Sequence, residues 1–223
     1  MSSNKLKLNE SKTEFFIAAS KHNLESLKDT SIYIGSEEIH PSQTIKNLGV
    51  TFDSTMSMAP HITAVCKSVN FMLWNMSRVR KFIDRDSCCH AMRALVLSRL
   101  DYANSMLSGC TIGDVNRLQK LQNKGARIIF QVPRLVSATP LLYSLHWLPV
   151  KERIMFKTLL YVFKVVNGLA PVYLNEFIST YTVPRPGLRS AQDNLRLEVP
   201  ATRLKIADGT FIHLDPDIGT RCP

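Results

Sequence analysis

No stretch of this 223-residue chain reaches the roughly 18 consecutive apolar residues that a membrane-spanning helix needs. A spanning segment, and with it a membrane partner, is not expected. The N-terminus lacks the charged-then-apolar pattern of a secretory signal. Cysteines are few and odd in number: Cys66, Cys88, Cys89, Cys110 and Cys222. Such a set points to a reducing interior, nucleus or cytoplasm, rather than to a secreted disulfide framework. No internal repeat occurs. Acids are missing from two long stretches, between Asp53 and Asp84 and between Asp114 and Glu152.

Against these absences stands a 45% apolar content, enough for a packed core. The formal net charge is +10. Residues 1–55 hold six Lys against seven Asp or Glu, so the excess falls later in the chain. Surplus positive charge favours polyanionic partners such as RNA or DNA, and says nothing of fold.

Apolar and polar positions alternate at Leu6 and Leu8, at Phe15 and Ile17, at Ile32 and Ile34, and at Leu48, Val50 and Phe52. That period predicts short strands, with Gly35-Ser36 as a type II′ hairpin loop. From Ser57 the period changes. Ile62, Val65, Val69, Met72, Met76, Val79 and Phe82 recur at helical spacing. Asp84 stands as N-cap of a helix carrying Cys88, Met92, Leu95, Val96, Leu100 and Ala103. Thr111 with Asp114 forms a weak capping box before a helix that should bury Val115, Leu118, Leu121, Ile128 and Val132. Thr139 and Pro140 open a short helix, and Leu148-Pro149 opens another with Phe156, Leu159, Leu160, Phe163 and Val166 on its stripe. Asn167-Gly168 ends it, and Pro171 begins a last short one. The predicted fold class is α+β. A small antiparallel β appendage spans 1–55, a mostly α-helical bundle 56–178, and an extended tail 179–223.

Several segments in this order resemble a known family. Lys5-Leu-Lys-Leu-Asn-Glu-Ser-Lys-Thr-Glu14 and Ile45-Lys-Asn-Leu-Gly-Val-Thr-Phe-Asp53 are similar to two consecutive motifs of non-LTR retrotransposon (LINE, jockey-like) reverse transcriptases. The second is their primer-grip hairpin. Ser98-Arg-Leu-Asp-Tyr102 with Asn104, Leu118-Gln-Lys-Leu-Gln-Asn123 with Ala126-Arg127, and Leu145-His-Trp-Leu-Pro149 with Arg153 resemble thumb-region signatures. Pro184-Arg-Pro-Gly-Leu-Arg-Ser190 is similar to the stretch that follows. The resemblance spans residues 4 to 205, and order and spacing carry it more than any one motif.

The resemblance implies an RNA-directed DNA polymerase, with residues 1–55 as palm edge and the helices as thumb. It also implies that the metal-binding aspartates lie before Met1, since the chain has no aromatic-x-Asp-Asp and no Asp-Asp pair. Ala207–Pro223 departs from the family's ending. The expectation is an element fragment, or a host gene built from one, without catalysis of its own. No cofactor is expected for this chain, and Mg²⁺ only in a complete polymerase. Lys12 matches a lysine that would protonate leaving pyrophosphate. With no metal-bound substrate it has nothing to protonate, and we read it as a solvated strand lysine. Leu48, Gly49 and Val50 match the primer grip. Gly49 serves either a close approach of backbone to primer or a bulge in a tight hairpin.

Basic stripes are the stronger functional signal. Arg117, Lys120, Lys124 and Arg127 fall on one helix face, Arg153, Lys157 and Lys164 on another, and Arg78, Lys81 and Arg85 cluster at a helix junction with Arg80 nearby. These stripes lack the acids that would normally pair with them. Such faces suit the phosphate backbone of RNA, DNA or an RNA–DNA hybrid. The plainer reading is a solvated charged surface on a helical interaction module, or a translated remnant with no nucleic-acid role.

Three other groupings are read as structural. Cys88-Cys89-His90 has the wrong spacing for zinc, so buried or lightly exposed helix cysteines are expected. His146-Trp147 fits corner packing better than base stacking. Neither Glu37-Glu38, on opposite strand faces, nor Asp215 with Asp217 suits a metal. Finally, an apolar face of residues 1–52 without its partner sheet would favour self-association through an exposed β edge.

Overall fold

The computed structural model describes Asn9, residues 12–27 and residues 29–178. The expected strand at Leu6 and Leu8, the tail over 179–223, and Asp215 and Asp217 lie outside the described residues. The fold is α+β, in two compact units, residues 1–64 and 65–223.

The first unit holds β1 (Phe15–Phe16), α1 (Lys21–Ser26), β2 (Ile32–Ile34), β3 (Glu37–Ile39), β4 (Pro41–Ser42), β5 (Thr44–Asn47) and β6 (Val50–Asp53). Among the described residues these strands form three two-stranded sheets. β2 and β3 are antiparallel, with Ile34 opposite Glu37. Gly35 takes φ +63° and Ser36 does not turn positive, as a II′ loop requires. β1 and β4 pair in parallel, Phe15 opposite Pro41, where an antiparallel arrangement was expected. α1 was also unforeseen. It has a single apolar residue, Leu24, and so no periodic signal. Its start is set by Ser20, whose hydroxyl accepts from the Asn23 N–H at 3.4 Å.

β5 and β6 form the second hairpin, Asn47 opposite Val50. Leu48 (φ +47°) and Gly49 (φ +83°) are its two-residue loop. Two consecutive left-handed residues define a type I′ turn. Leu48 is therefore the exposed tip of a turn, not the strand residue its alternation with Val50 suggested. Gly49 is a turn glycine, not a bulge. Val50 is buried.

Asp53 ends β6 and organises the way into α2 (Ala59–Val79). Its carboxylate accepts from Thr55 Oγ1 (2.5 Å), the Ser57 N–H (3.1 Å) and the Met58 N–H (2.8 Å). Met58 and Ile62 are buried just beyond.

α2 begins in the first unit, and its residues from Val65 on belong to the second. There it is followed by α3 (Arg85–Met92), a π-helical segment (Arg93–Leu97), α4 (Ser98–Asp101), α5 (Ile112–Phe130), α6 (Thr139–Ser144) and α7 (Val150–Val166). Short 3₁₀ turns occupy Arg80–Phe82, Asn104–Leu107 and Val172–Phe177. The caps are those the sequence proposed at two of the starts. Asp84 accepts from the Ser87 N–H at 2.8 Å, and Thr111 from the Asp114 N–H at 3.2 Å. Asp114 answers by accepting from the Thr111 hydroxyl at 2.8 Å. α6 starts one residue off, with Ala138 rather than Thr139 as cap.

α5 is the central helix. It packs on α3, α6 and α7 and lies close to α2, burying Leu118, Leu121, Ala126 and Ile129. α2 contributes Val69, Leu73 and Met76, and the α3–α4 run Cys88, Met92, Val96, Leu97 and Leu100. Three expected core positions in this stretch, Val79, Phe82 and Leu95, are exposed. α2 stops at Val79, and the 3₁₀ turn carries Phe82 off the helical stripe. On α7 the buried side is Val150, Ile154, Thr158 and Val165, and the expected core residues Phe156 and Phe163 face outward.

Two polar networks tie these helices. Gln119 Oε1 accepts from the Val150 N–H at 2.7 Å, so a side chain of α5 satisfies the first amide of α7. Gln119 Nε2 donates to Gln122 Oε1 (3.0 Å) and Asn123 Oδ1 (2.7 Å), and buried Gln122 Nε2 donates to the Leu148 carbonyl at 2.8 Å. In the other network Asp101 takes both Arg153 Nε (2.8 Å) and Arg153 Nη2, and also Asn104 Nδ2 at 3.5 Å.

Candidate nucleic-acid interface

The C-terminal end of α2 and the middle of α5 wall a groove of about 760 Å³ within the second unit. Six basic side chains line it: Arg80, Lys81, Lys120, Lys124, Arg127 and Arg134. No Asp or Glu is among its lining residues.

The local structure explains how these cations gather. Lys120, Lys124 and Arg127 are four and three residues apart on α5, so they share a face. α5 ends with Gln131 left-handed at φ +54°, and the Val132 N–H returns to the Arg127 carbonyl at 3.1 Å. This reversal turns the chain into the 132–137 loop that carries Arg134. Arg127 Nε donates to the Val136 carbonyl at 2.9 Å and holds that loop against the helix. Arg80 is a fixed element of the wall. Its Nε (3.1 Å) and Nη2 (2.8 Å) donate to the Ile129 carbonyl near the end of α5, and its Nη1 (2.8 Å) to the Ile83 carbonyl. Lys120, Lys124 and Arg134 are exposed and make no ion pair among the described residues. Six positive charges around one concavity raise the local concentration of anions.

Of the residues proposed from sequence, Lys81, Lys120, Lys124 and Arg127 meet in this groove. The others do not join them. Arg117, on the same α5 stripe, is ion-paired to Asp114 at 3.1 Å. Arg153 is bound on two nitrogens by Asp101. The expectation that these stripes lack acids is thus corrected at both. Asp114 sits one turn back on the same helix, and Asp101 arrives from α4, which no local spacing reveals. Arg78 lies over the Trp74 ring, 4.7 Å from its centroid, and Arg85 over Phe130 at 4.0 Å. Lys157 is half-buried, and Lys164 is exposed in the last turn of α7. Arg80 and Arg134 are the groove residues that sequence reasoning did not nominate. Arg80 was noted only as a neighbour, and Arg134 stands in a loop, where helical spacing has no say.

The first unit keeps its own proposed residues apart from any such cluster. Lys12 is exposed in a turn whose N–H bonds the Asn9 carbonyl at 3.2 Å, outside the strands, where a strand lysine was expected. It borders a shallow depression of about 550 Å³ with Glu14 and Lys46. Leu48 and Gly49 form the I′ tip described above.

The remaining candidates have structural surroundings. Cys88 is buried, and burial pushes its thiol pKa up. His90 Nδ1 bonds the Asp86 carbonyl at 2.8 Å. Among the described residues no three His, Cys, Asp or Glu side chains are placed to hold a metal. Glu37 and Glu38 occupy successive positions of β3, and Glu38 accepts from Ser31 Oγ at 2.6 Å. Trp147 is buried at the α6–α7 corner, with exposed His146 before it at φ +53°.

No family model, no curated protein and no solved structure matches this chain. No helix among the described residues is long and apolar enough to cross a membrane.

Proposed function

We propose that the chain is the part of a non-LTR retrotransposon reverse transcriptase that follows the catalytic aspartates, and that its second unit holds the backbone of RNA, DNA or an RNA–DNA hybrid. The observation that carries the binding role is the groove with six cations and no acid. Phosphate contacts of this kind set position and orientation without reading sequence. The ancestry rests on the order of the motifs. Their residues, Asp101, Asn104, Gln119, Gln122 and Arg153, tie α4, α5 and α7 together.

The part proposed is holding. Nucleotidyl transfer would need carboxylates converging on two metal ions, and among the described residues no three His, Cys, Asp or Glu side chains are placed to hold a metal. The Leu48-Gly49 tip, a non-glycine residue in left-handed backbone, is the place where this reading puts contact with a primer strand.

Titrating a labelled RNA–DNA hybrid against the chain tests the reading. A Lys120→Ala, Lys124→Ala, Arg134→Ala variant changes only exposed groove cations. It is expected to bind at least about 10-fold more weakly, by loss of phosphate contacts. Unchanged affinity would reject the groove.

A helical protein-interaction module is the alternative, favoured by one observation: α7 turns Phe156 and Phe163 to solvent. Under the groove reading, Phe156→Ser with Phe163→Ser leaves hybrid affinity unchanged.

A further inference from the structure

α2 supplies the groove with more than a basic wall. Asn70, Ser77 and Lys81 line it. Trp74 is not itself a lining residue, but it neighbours two of them on the surface of α2, four residues after Asn70 and three before Ser77, and so borders the groove. Phe82 lies in the 3₁₀ turn beyond α2, off that surface, and borders the groove through Lys81. Lys81, itself a groove residue, places its Nζ 4.8 Å from the Phe82 ring centroid. Trp74 is 52% exposed and Phe82 76%.

A lone exposed apolar residue is ordinary. Two large rings on the rim of an acid-free cationic groove, each with a cation over it, are a different arrangement. The cation over each ring holds it in place before any ligand arrives. The exposed remainder of the ring is left for another flat group to cover.

A duplex would make poor use of these rings, because its base faces are hidden in the stack and its flank offers only sugar and phosphate. A single strand presents both chemistries at once. Its phosphates suit the cations, and its unstacked bases suit flat apolar surfaces. We propose that the groove takes single-stranded nucleic acid, with phosphates on the groove cations and bases stacked on Trp74 and Phe82. This rests on the reading of the groove as a nucleic-acid site and adds the strand state. Stacking of this kind tolerates any base, so binding is sequence-independent.

Three probes of equal length test it: a thymidine oligomer of about 12 nucleotides, its duplex with adenosine, and an abasic oligomer. The thymidine oligomer is expected to bind about 10-fold tighter than either of the others and to quench tryptophan fluorescence. The quench comes from Trp74, since Trp147 is buried. Trp74→Leu with Phe82→Leu changes exposed rings only. It should lower affinity for the thymidine oligomer by about 10-fold or more, abolish the quench, and leave the duplex unaffected. Equal affinity for all three probes, or an unchanged thymidine affinity in the double variant, would overturn the proposal. If that equal binding still vanished in the Lys120→Ala, Lys124→Ala, Arg134→Ala variant, the groove reading would survive alone. No binding to any probe would remove both. Unchanged affinity together with dissociation of a dimer in the double variant would assign the rings to a second copy of the chain.

Discussion

Asp53 and His61 make the first unit sensitive to acid. Burial raises the pKa of Asp53, but its bonds from Thr55, Ser57 and Met58 outweigh this and hold it below the usual 3.8. His61 is buried, its Nδ1 accepts from the Thr51 N–H at 3.4 Å, and burial lowers its pKa below 6.5. Both folded pKa values are depressed, so the unfolded chain binds more protons and stability rises with pH. The stabilisation is complete above about 6.5. It declines as pH falls through the folded pKa of His61, and again below about 3.8 as Asp53 protonates. Urea midpoints measured across this range should show two losses, and His61→Gln should remove the upper one. Gly125 offers a second test at this scale. A Cβ there would meet Met92 Sδ at 3.4 Å and Leu73 Cδ2 at 3.5 Å, ordinary contact distances. Gly125→Ala should therefore stabilise by about 0.5–1 kcal/mol in a denaturant melt, through lower unfolded-state entropy. Gly125→Leu should destabilise, because the same neighbours leave no room for a branched chain.

At the scale of elements, hydrogen bonds across sequence decide the geometry. Gln122→Leu would leave the Leu148 carbonyl without its side-chain donor in a part-buried site and take one of two acceptors from Gln119 Nε2. It should cost about 1–3 kcal/mol, and hydrogen exchange should show the first turn of α7 opening. In the β5–β6 hairpin, Gly49→Ala should cost about 1 kcal/mol and Leu48→Asn should stabilise, since asparagine enters left-handed backbone readily. These elements also show what sequence could disclose. Asp84 and Thr111 were legible as caps because a cap is a local pattern of residue type and spacing. The I′ loop was not, because Leu48 is a poor I′ residue and continues the alternation of Val50 and Phe52. α1 was missed for want of apolar period, and β1–β4 because parallel pairing leaves no turn to read. The Gln119–Val150 and Asp101–Arg153 ties sit inside motifs that were visible, but their partners lie 31 and 52 residues apart.

For the whole molecule, charge and exposed rings define the surface. Four of the six groove cations were legible. Lys120, Lys124 and Arg127 follow from helical spacing, and Lys81 from its position at a junction. Arg134 depends on the left-handed turn at Gln131, and the rim rings on where α2 stops. Among the described residues each strand has one hydrogen-bonded neighbour, so open edges remain, though on runs of only two to four residues. Short edges limit pairing. We propose weak, concentration-dependent self-association of the first unit, which sedimentation should reveal, and a sharp monomer boundary at all concentrations would exclude it. The grip on polyanions is the larger matter, and its salt dependence tests it most directly. Affinity for a labelled RNA–DNA hybrid would be measured over a series of salt concentrations. Four to six phosphates held in the groove should give a log-affinity slope against log salt of roughly −3 to −5, shallower by about 1 for each of Lys120, Lys124 and Arg134 replaced by alanine. A flat dependence, or a slope unmoved by those replacements, would contradict a phosphate-gripping groove.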